Sequence, residues 1–199
     1  EARKVLVDQL TGALFPIADD VKIQMEFNPA VIAEYRLIGY ETRALNREDF
    51  NNDRVDAGEI GAETSVTALY EVTPVGSPAL RTDPLRYENA KEAAEAAPAL
   101  APASDELGFL KLRYKEPGAA TSQLIELPIA PEPGEADTDT RFAVAVAGFG
   151  QLLTGATSRG DGGWDDAVAL ANGARGDDPF GYRAEAVQLM RLGQSLSGN

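Results

Sequence analysis

The chain contains neither cysteine nor histidine among its 199 residues. Without cysteine there are no disulfides, no thiolate chemistry and no Cys-ligated zinc. Without histidine, Ser-His-Asp and Cys-His nucleophile systems fall away, and so do the usual zinc and non-haem iron ligand sets. Acid–base catalysis would have to rest on Asp, Glu, Lys or Tyr. Long apolar runs are missing too. No stretch reaches the roughly 18 residues of a spanning helix, so no direct membrane insertion by this segment is expected. Basic residues are scarce: 18 Lys and Arg stand against 32 Asp and Glu, a formal net charge of -14. Phosphate neutralisation needs clustered Lys and Arg, so nucleic acid is not an expected partner, and an anionic membrane surface is repelled. No basic segment followed by an apolar one opens the chain as a secretory signal would.

Hydrophobic residues make up 44% of the chain, enough for a sizeable core. Residues 1–15, EARKVLVDQLTGALF, place Val5, Leu6, Leu10 and Leu14 at helical spacing, as if a helix continued from a domain upstream. Period-two alternation then takes over. Val21, Ile23, Met25 and Phe27 alternate with Lys22, Gln24, Glu26 and Asn28, the pattern of a strand buried on one face and ended by Asn28-Pro29. Further strands are expected over 32–43 and 65–72. These make residues 16–76 the first part of a β unit. Residues 77–106 are rich in Ala, Pro and Glu and read as an exposed linker with a short helix around 88–97. In 107–130, Leu110, Leu112 and Tyr114, then Ile125, Leu127 and Ile129, form the two arms of a hairpin around Pro117-Gly118.

From 138 to 197 the period becomes helical. Phe142, Ala145, Val146, Phe149, Leu152 and Leu153 line one side of a helix ending near Gly155. A second helix is expected over 164–174. A third is expected with Asp178 as N-cap and Pro179 at its first position, carrying Tyr182, Ala186, Leu189 and Leu196. Strands first and helices last indicate α+β: an antiparallel, sandwich-like sheet unit followed by a C-terminal three-helix segment.

One stretch concentrates oxygen ligands: DFNNDRVDAGEI, residues 49–60. Read as a calcium loop, its candidate ligands are Asp49, Asn51, Asp53, Asp56 and Glu59. Arg54 stands where such a loop wants Gly, Ile60 stands where it wants Glu, and no helical periodicity flanks it. A polar turn that leads into the next strand is the stronger expectation, with no cofactor, and calcium the alternative. Arg-Gly-Asp at 159–161 and at 175–177 falls in interhelical turns that need Gly and Asp anyway. GQLLTGAT, 150–157, has the glycine spacing of a phosphate loop, but Ala156 takes the place of the lysine and the segment is helical. Trp164 is expected to anchor a helix in the core. With 32 acids, a carboxylate pair for hydrolysis is possible in principle, yet no nucleophile has a local activator. No catalytic residue is therefore assigned.

Several longer segments carry a resemblance: VKIQMEFNPAVIAEYRLIGYETRAL, REDFNNDRVDAGEIGAETSVTALYEV, LGFLKLRYKEPG, FAVAVAGFGQLL and GYRAEAVQLMRL. In this order they resemble the region C-terminal to the von Willebrand factor type A (vWA) domain in bacterial proteins of the YfbK type. The resemblance implies an envelope-associated, extracytoplasmic setting, with any anchor outside this chain. It also implies an upstream vWA domain in the same polypeptide as partner, with another envelope protein as the second candidate. The Asp-x-Ser-x-Ser metal motif of vWA domains is absent here, so that site transfers to no residue of this chain. The expectation is a non-catalytic accessory module for interaction or scaffolding.

Overall fold

A computed structural model describes residues 15–39, 47–55, 57–62, 64–82, 106–132, 134–156 and 162–198. The expected helices over 2–14 and around 88–97 lie outside these residues. Among the described residues, six strands precede three helices, which is an α+β arrangement. The chain divides into two compact units, one carrying the strands and one carrying the helices together with residues 65–69.

The strand unit contains β1 (Pro16–Phe27), β2 (Ile32–Leu37), β3 (Gly58–Gly61), β4 (Tyr70–Pro74), β5 (Gly108–Lys115) and β6 (Gln123–Ile129). They form an antiparallel four-stranded sheet in the order β3-β1-β5-β6 and a two-stranded sheet of β2 and β4. The β5–β6 hairpin forms as the alternation predicts. Its register with β1 sets Ile23, Leu112 and Ile125 side by side, and next to them Met25, Leu110 and Leu127. The next rung is Phe27, Gly108 and Ile129. Because paired residues share a face, these rungs make one continuous apolar surface. The rings of Tyr35 and Tyr70 lie 4.6 and 5.4 Å from that of Phe27, so the small sheet covers the Phe27 end. There Asn28 closes the turn: its side chain takes the Ala30 N–H at 3.0 Å and donates to the Glu106 carbonyl at 2.9 Å.

Four expectations about the strands need correction. β2 stops at Leu37 because the chain bends at Ile38 and Gly39, where Gly39 has a φ of 75°, a value that favours glycine. The β2–β4 ladder consequently begins at the Leu37–Tyr70 pair, which leaves 65–69 outside it and shifts the expected strand 65–72 to 70–74. Residues 58–61 form a strand where only a loop was expected. Most important, the cover over β1 changes side along the strand: Lys22 is 3% exposed while Ile23 is 45% exposed, whereas towards the end of the strand Glu26 is exposed and Phe27 is half-buried against Tyr35 and Tyr70.

In the helical unit, α1 (Thr138–Thr154), α2 (Trp164–Gly173) and α3 (Tyr182–Leu196) surround Ala145, Ala171, Val187 and Met190. Phe142, Phe149, Val168 and Leu170 pack against that centre. Asp137 caps α1 by accepting the Thr140 N–H at 2.7 Å, and the helix stops at Gly155 as its sequence predicts. Val146 and Leu153, expected on its buried side, are exposed. Trp164 meets Phe149 edge-on at 5.8 Å and lies over Gly193, where an added Cβ would come within 2.9 Å of the indole. The core-anchor reading of Trp164 therefore holds.

α3 begins later than its sequence implies. Gly181, with φ of 71°, is the N-cap residue and has no side chain to cap with. Asp178 supplies the missing oxygen from upstream, accepting the Ala184 N–H at 2.8 Å. The helix buries Val187 and Met190, whereas Tyr182, Leu189 and Leu196 face outward. Its Arg183 donates to the Ala174 carbonyl at the end of α2 and pairs with Asp139 of α1.

Candidate functional site

The oxygen-rich stretch at 49–60 begins in a 3-10 turn, Arg47–Asn51, and ends in β3. An EF-hand-type loop would instead be held between two helices. The turn drives Phe50 into a buried position beneath Arg113, whose guanidinium lies 5.6 Å from the ring centre. That insertion lays residues 51–53 across the basic side of β1 and β5.

Each basic side chain there finds an acceptor in the loop. Lys22 donates to the Asn52 carbonyl at 2.6 Å, which allows its ammonium to be buried. Arg113 donates to Asn51 Oδ1 at 3.1 Å and to Ser122 Oγ at 2.8 Å. Ser122 in turn donates to Asp53 Oδ1 through its hydroxyl at 2.6 Å and to Asp53 Oδ2 through its N–H at 3.4 Å. Lys115 donates to the Asp53 carbonyl at 2.8 Å and to Asp20 Oδ2 at 2.5 Å. Asp20 reaches this position through a bulge in β1, where its φ of 51° is in the left-handed region that few residues other than Gly, Asn and Asp adopt. Its second oxygen takes the Ala57 N–H at 3.1 Å.

The Ser122 hydroxyl holds the Asp53 carboxyl below its ordinary range, aided by nearby Lys115 and Arg113. The hydrogen bond that Lys115 donates to Asp20 pushes its ammonium pKa up. Both shifts fix the charged forms. A carboxylate tuned as a general base near neutrality, or a lysine tuned as a nucleophile, needs the opposite shift. The arrangement is built to clamp the loop to the sheet.

Of the five sequence-predicted ligands, Asn51 and Asp53 are thus engaged by Arg113 and Ser122. Asp49 lies in the 3-10 turn, its carbonyl accepting the Asn52 N–H at 3.2 Å. Glu59 is exposed on β3, and Asp56 lies outside the described residues. Among the described residues no three acidic side chains gather around a common point. Positive charge beside these oxygens comes from the chain itself: Lys22, Arg113 and Lys115 donate to Asn52, Asn51 and Asp53. Sequence reasoning missed those three, together with Asp20 and Ser122. The available signal was Lys22, Arg113 and Lys115 alternating with apolar residues on two strands, with a carboxylate-rich loop elsewhere in the chain.

A second polar cluster ties residues 81–82 to β2 and β4. Glu34 accepts the Thr82 N–H at 2.8 Å and the Arg81 N–H at 3.1 Å, while Glu71 pairs with Arg36 at 2.6 Å and with Arg81. The Thr82 hydroxyl, followed by these backbone donors, holds Glu34 below its usual range. Of the remaining motifs, residues 175–177 form part of the turn between α2 and α3, whereas 159–161 lie outside the described residues. Residues 150–154 are the last turn of α1 and Gly155 caps it, so the described part of the 150–157 segment is helix and not a phosphate loop. Among the described residues no helix is long and apolar enough to cross a membrane.

Antiparallel sheets followed by a helical trio, with an acidic loop clamped over one face of the larger sheet, define an α+β module. Residues 12–196 match the family described as "Uncharacterized protein YfbK, C-terminal", and the chain belongs to that family. It is 43% identical over 197 residues to "Uncharacterized protein YfbK" of Escherichia coli (strain K12), a match that takes in 99% of this chain and 33% of that protein. The chain therefore spans about a third of the length of that curated relative. No solved structure matches it.

Proposed function

We propose that this chain is a non-catalytic accessory module that acts by contact, as an interaction or scaffolding element of an envelope-associated, extracytoplasmic vWA-domain protein. Its first partner in this reading is the vWA domain of the same polypeptide, and another envelope protein is the second. One observation supports it above the rest: the apolar rungs of the four-stranded sheet leave Ile23, Ile125 and Leu127 about half exposed, at 45%, 52% and 55%. A contiguous apolar surface rimmed by polar residues is the usual mark of an interaction site. Meanwhile Lys22, Arg113 and Lys115 on the sheet's other face are engaged with the chain's own loop.

The test is to produce the chain with and without the vWA domain and to substitute the exposed rungs. Ile23→Thr combined with Leu127→Thr keeps β propensity while removing apolar area, and is expected to weaken association of the two parts at least about tenfold. Equal melting temperatures with and without the vWA domain, together with unchanged association in the double variant, would overturn the reading. The calcium alternative makes a separate prediction. In it, millimolar calcium raises the melting temperature and Asp53→Asn abolishes the rise; in the contact reading calcium leaves the melting temperature where it was.

A further inference from the structure

The larger sheet ends in β3 on one side and in the longer β6 on the other. In a strand, successive residues direct their main-chain groups to opposite sides. The Ile129 carbonyl accepts the Leu107 N–H at 2.8 Å, so Ile129 faces the β5 side, and the unbroken register places Leu127 and Ile125 the same way. Leu124, Glu126 and Pro128 consequently turn their main-chain groups away from β5, to the edge of the sheet. Pro128 has no N–H to leave unpaired there, which is where a strand tolerates proline. Leu124 and Glu126 each present both a donor and an acceptor.

Natural edge strands are commonly blunted by charge, bulges or proline. β6 keeps its register with β5 throughout, and its one charge, Glu126, has the Lys111 ammonium 3.8 Å away. Its apolar side chains are exposed on both faces, Leu124 at 43% as well as Ile125 and Leu127. Among the described residues no strand pairs with the outer side of β6, so apart from Pro128 at one end it offers a template for another strand.

We propose that β6 docks an extended strand from the part of the longer polypeptide that precedes this domain. The guest pairs its main chain with Leu124 and Glu126, and its alternate apolar side chains widen the surface that begins at Ile125 and Leu127. This inference rests on the reading of that surface as a contact face. The occupant follows from two observations. The family is a C-terminal region, and this chain corresponds to only 33% of its E. coli relative, so family members carry a large further length of chain in the same molecule. A strand tethered in that way meets the edge at high effective concentration. A second copy is a poorer occupant. Antiparallel pairing of β6 with itself about its central residue sets two Glu126 carboxylates opposite each other, between molecules of formal net charge -14. A guest with a basic residue opposite Glu126 fits the charge.

The experiment uses this chain joined behind its vWA region. Glu126→Pro removes an outward N–H, Ile125→Pro removes one directed at β5, and Glu126→Gln controls for the lost charge. An open edge tolerates Glu126→Pro as it tolerates Pro128; a docked edge does not. The expected result is that both proline variants lower the melting temperature while Glu126→Gln does not. Amide exchange at Leu124 and Glu126 is expected to be at least about tenfold slower in the long polypeptide than in the 199-residue chain. Tolerance of Glu126→Pro overturns the proposal. So does equal exchange in the two chains, or protection that grows with the concentration of the shorter one, which would assign the edge to a second copy. If Ile23→Thr with Leu127→Thr weakens association while Glu126→Pro is harmless, the contact face stands and the docking edge falls.

Discussion

In the helical unit the buried centre consists of Ala145, Ala171, Val187 and Met190, whereas in the strand unit the buried residues include Lys22 and Phe50 beneath a polar loop. Small side chains let α1 and α2 approach closely, and their packing depends on volume more than on direction. The strand unit is tied down by directed bonds from Lys22, Arg113 and Lys115 into residues 51–53. The two units therefore ought to fail differently. The first should respond to a lost methylene, the second to a lost donor or a changed charge.

The largest expected effect belongs to packing. Met190→Ala deletes a side chain that is 1% exposed and should cost the helical unit about 2–5 kcal/mol, measured by denaturant unfolding followed by helical circular dichroism. A cost well under 1 kcal/mol would mean that the helices do not rely on that centre. Next comes Lys22→Met, which keeps the buried stem and removes only the amine. Loss of the bond to the Asn52 carbonyl should cost about 1–3 kcal/mol, and a neutral or stabilising outcome would show that the loop does not depend on Lys22.

The smallest effect is the pH dependence of the clamp. The folded-state pKa of Asp53 is lowered, so its contribution is present above the unfolded value, about 3.9, and is lost as pH falls through the folded one. The folded-state pKa of Lys115 is raised, so its contribution is complete below the unfolded value, about 10.4, and disappears as pH rises through the folded one. The clamp should accordingly be at full strength across the neutral range and loosen at both ends. Asp53→Asn should flatten the acid limb of a melting-temperature profile, and Ser122→Ala should raise the Asp53 pKa read by NMR. If neither variant alters that limb, Asp53 is not part of the clamp.

The legible parts of this fold are those decided by near neighbours in sequence. The hairpin of β5 and β6 follows from its alternation around Pro117-Gly118, and α1 stops at Gly155 because glycine can enter the left-handed region there. The less legible parts are decided at a distance. β4 starts at Tyr70 because β2 turns away at Ile38 and Gly39, more than thirty residues earlier. The burial of Lys22 depends on a loop whose acceptors match it, so apolar alternation alone does not show that this side of β1 is covered there. In the candidate site, composition marked Asn51 and Asp53 as important oxygens, but it could not reveal that Arg113 and Ser122 already bind them.

The ties at Glu34 and Asn28 carry a practical consequence. Glu34 grips the chain at Arg81 and Thr82, and Asn28 grips it again at Glu106. Both grips belong to the strand unit, so the places where the chain leaves it after Thr82 and returns to it at Glu106 are each fixed by a side chain of the strand unit itself. Removing either grip, by Glu34→Ala or Asn28→Ala, is accordingly expected to loosen one of these two anchor points and leave the other in place.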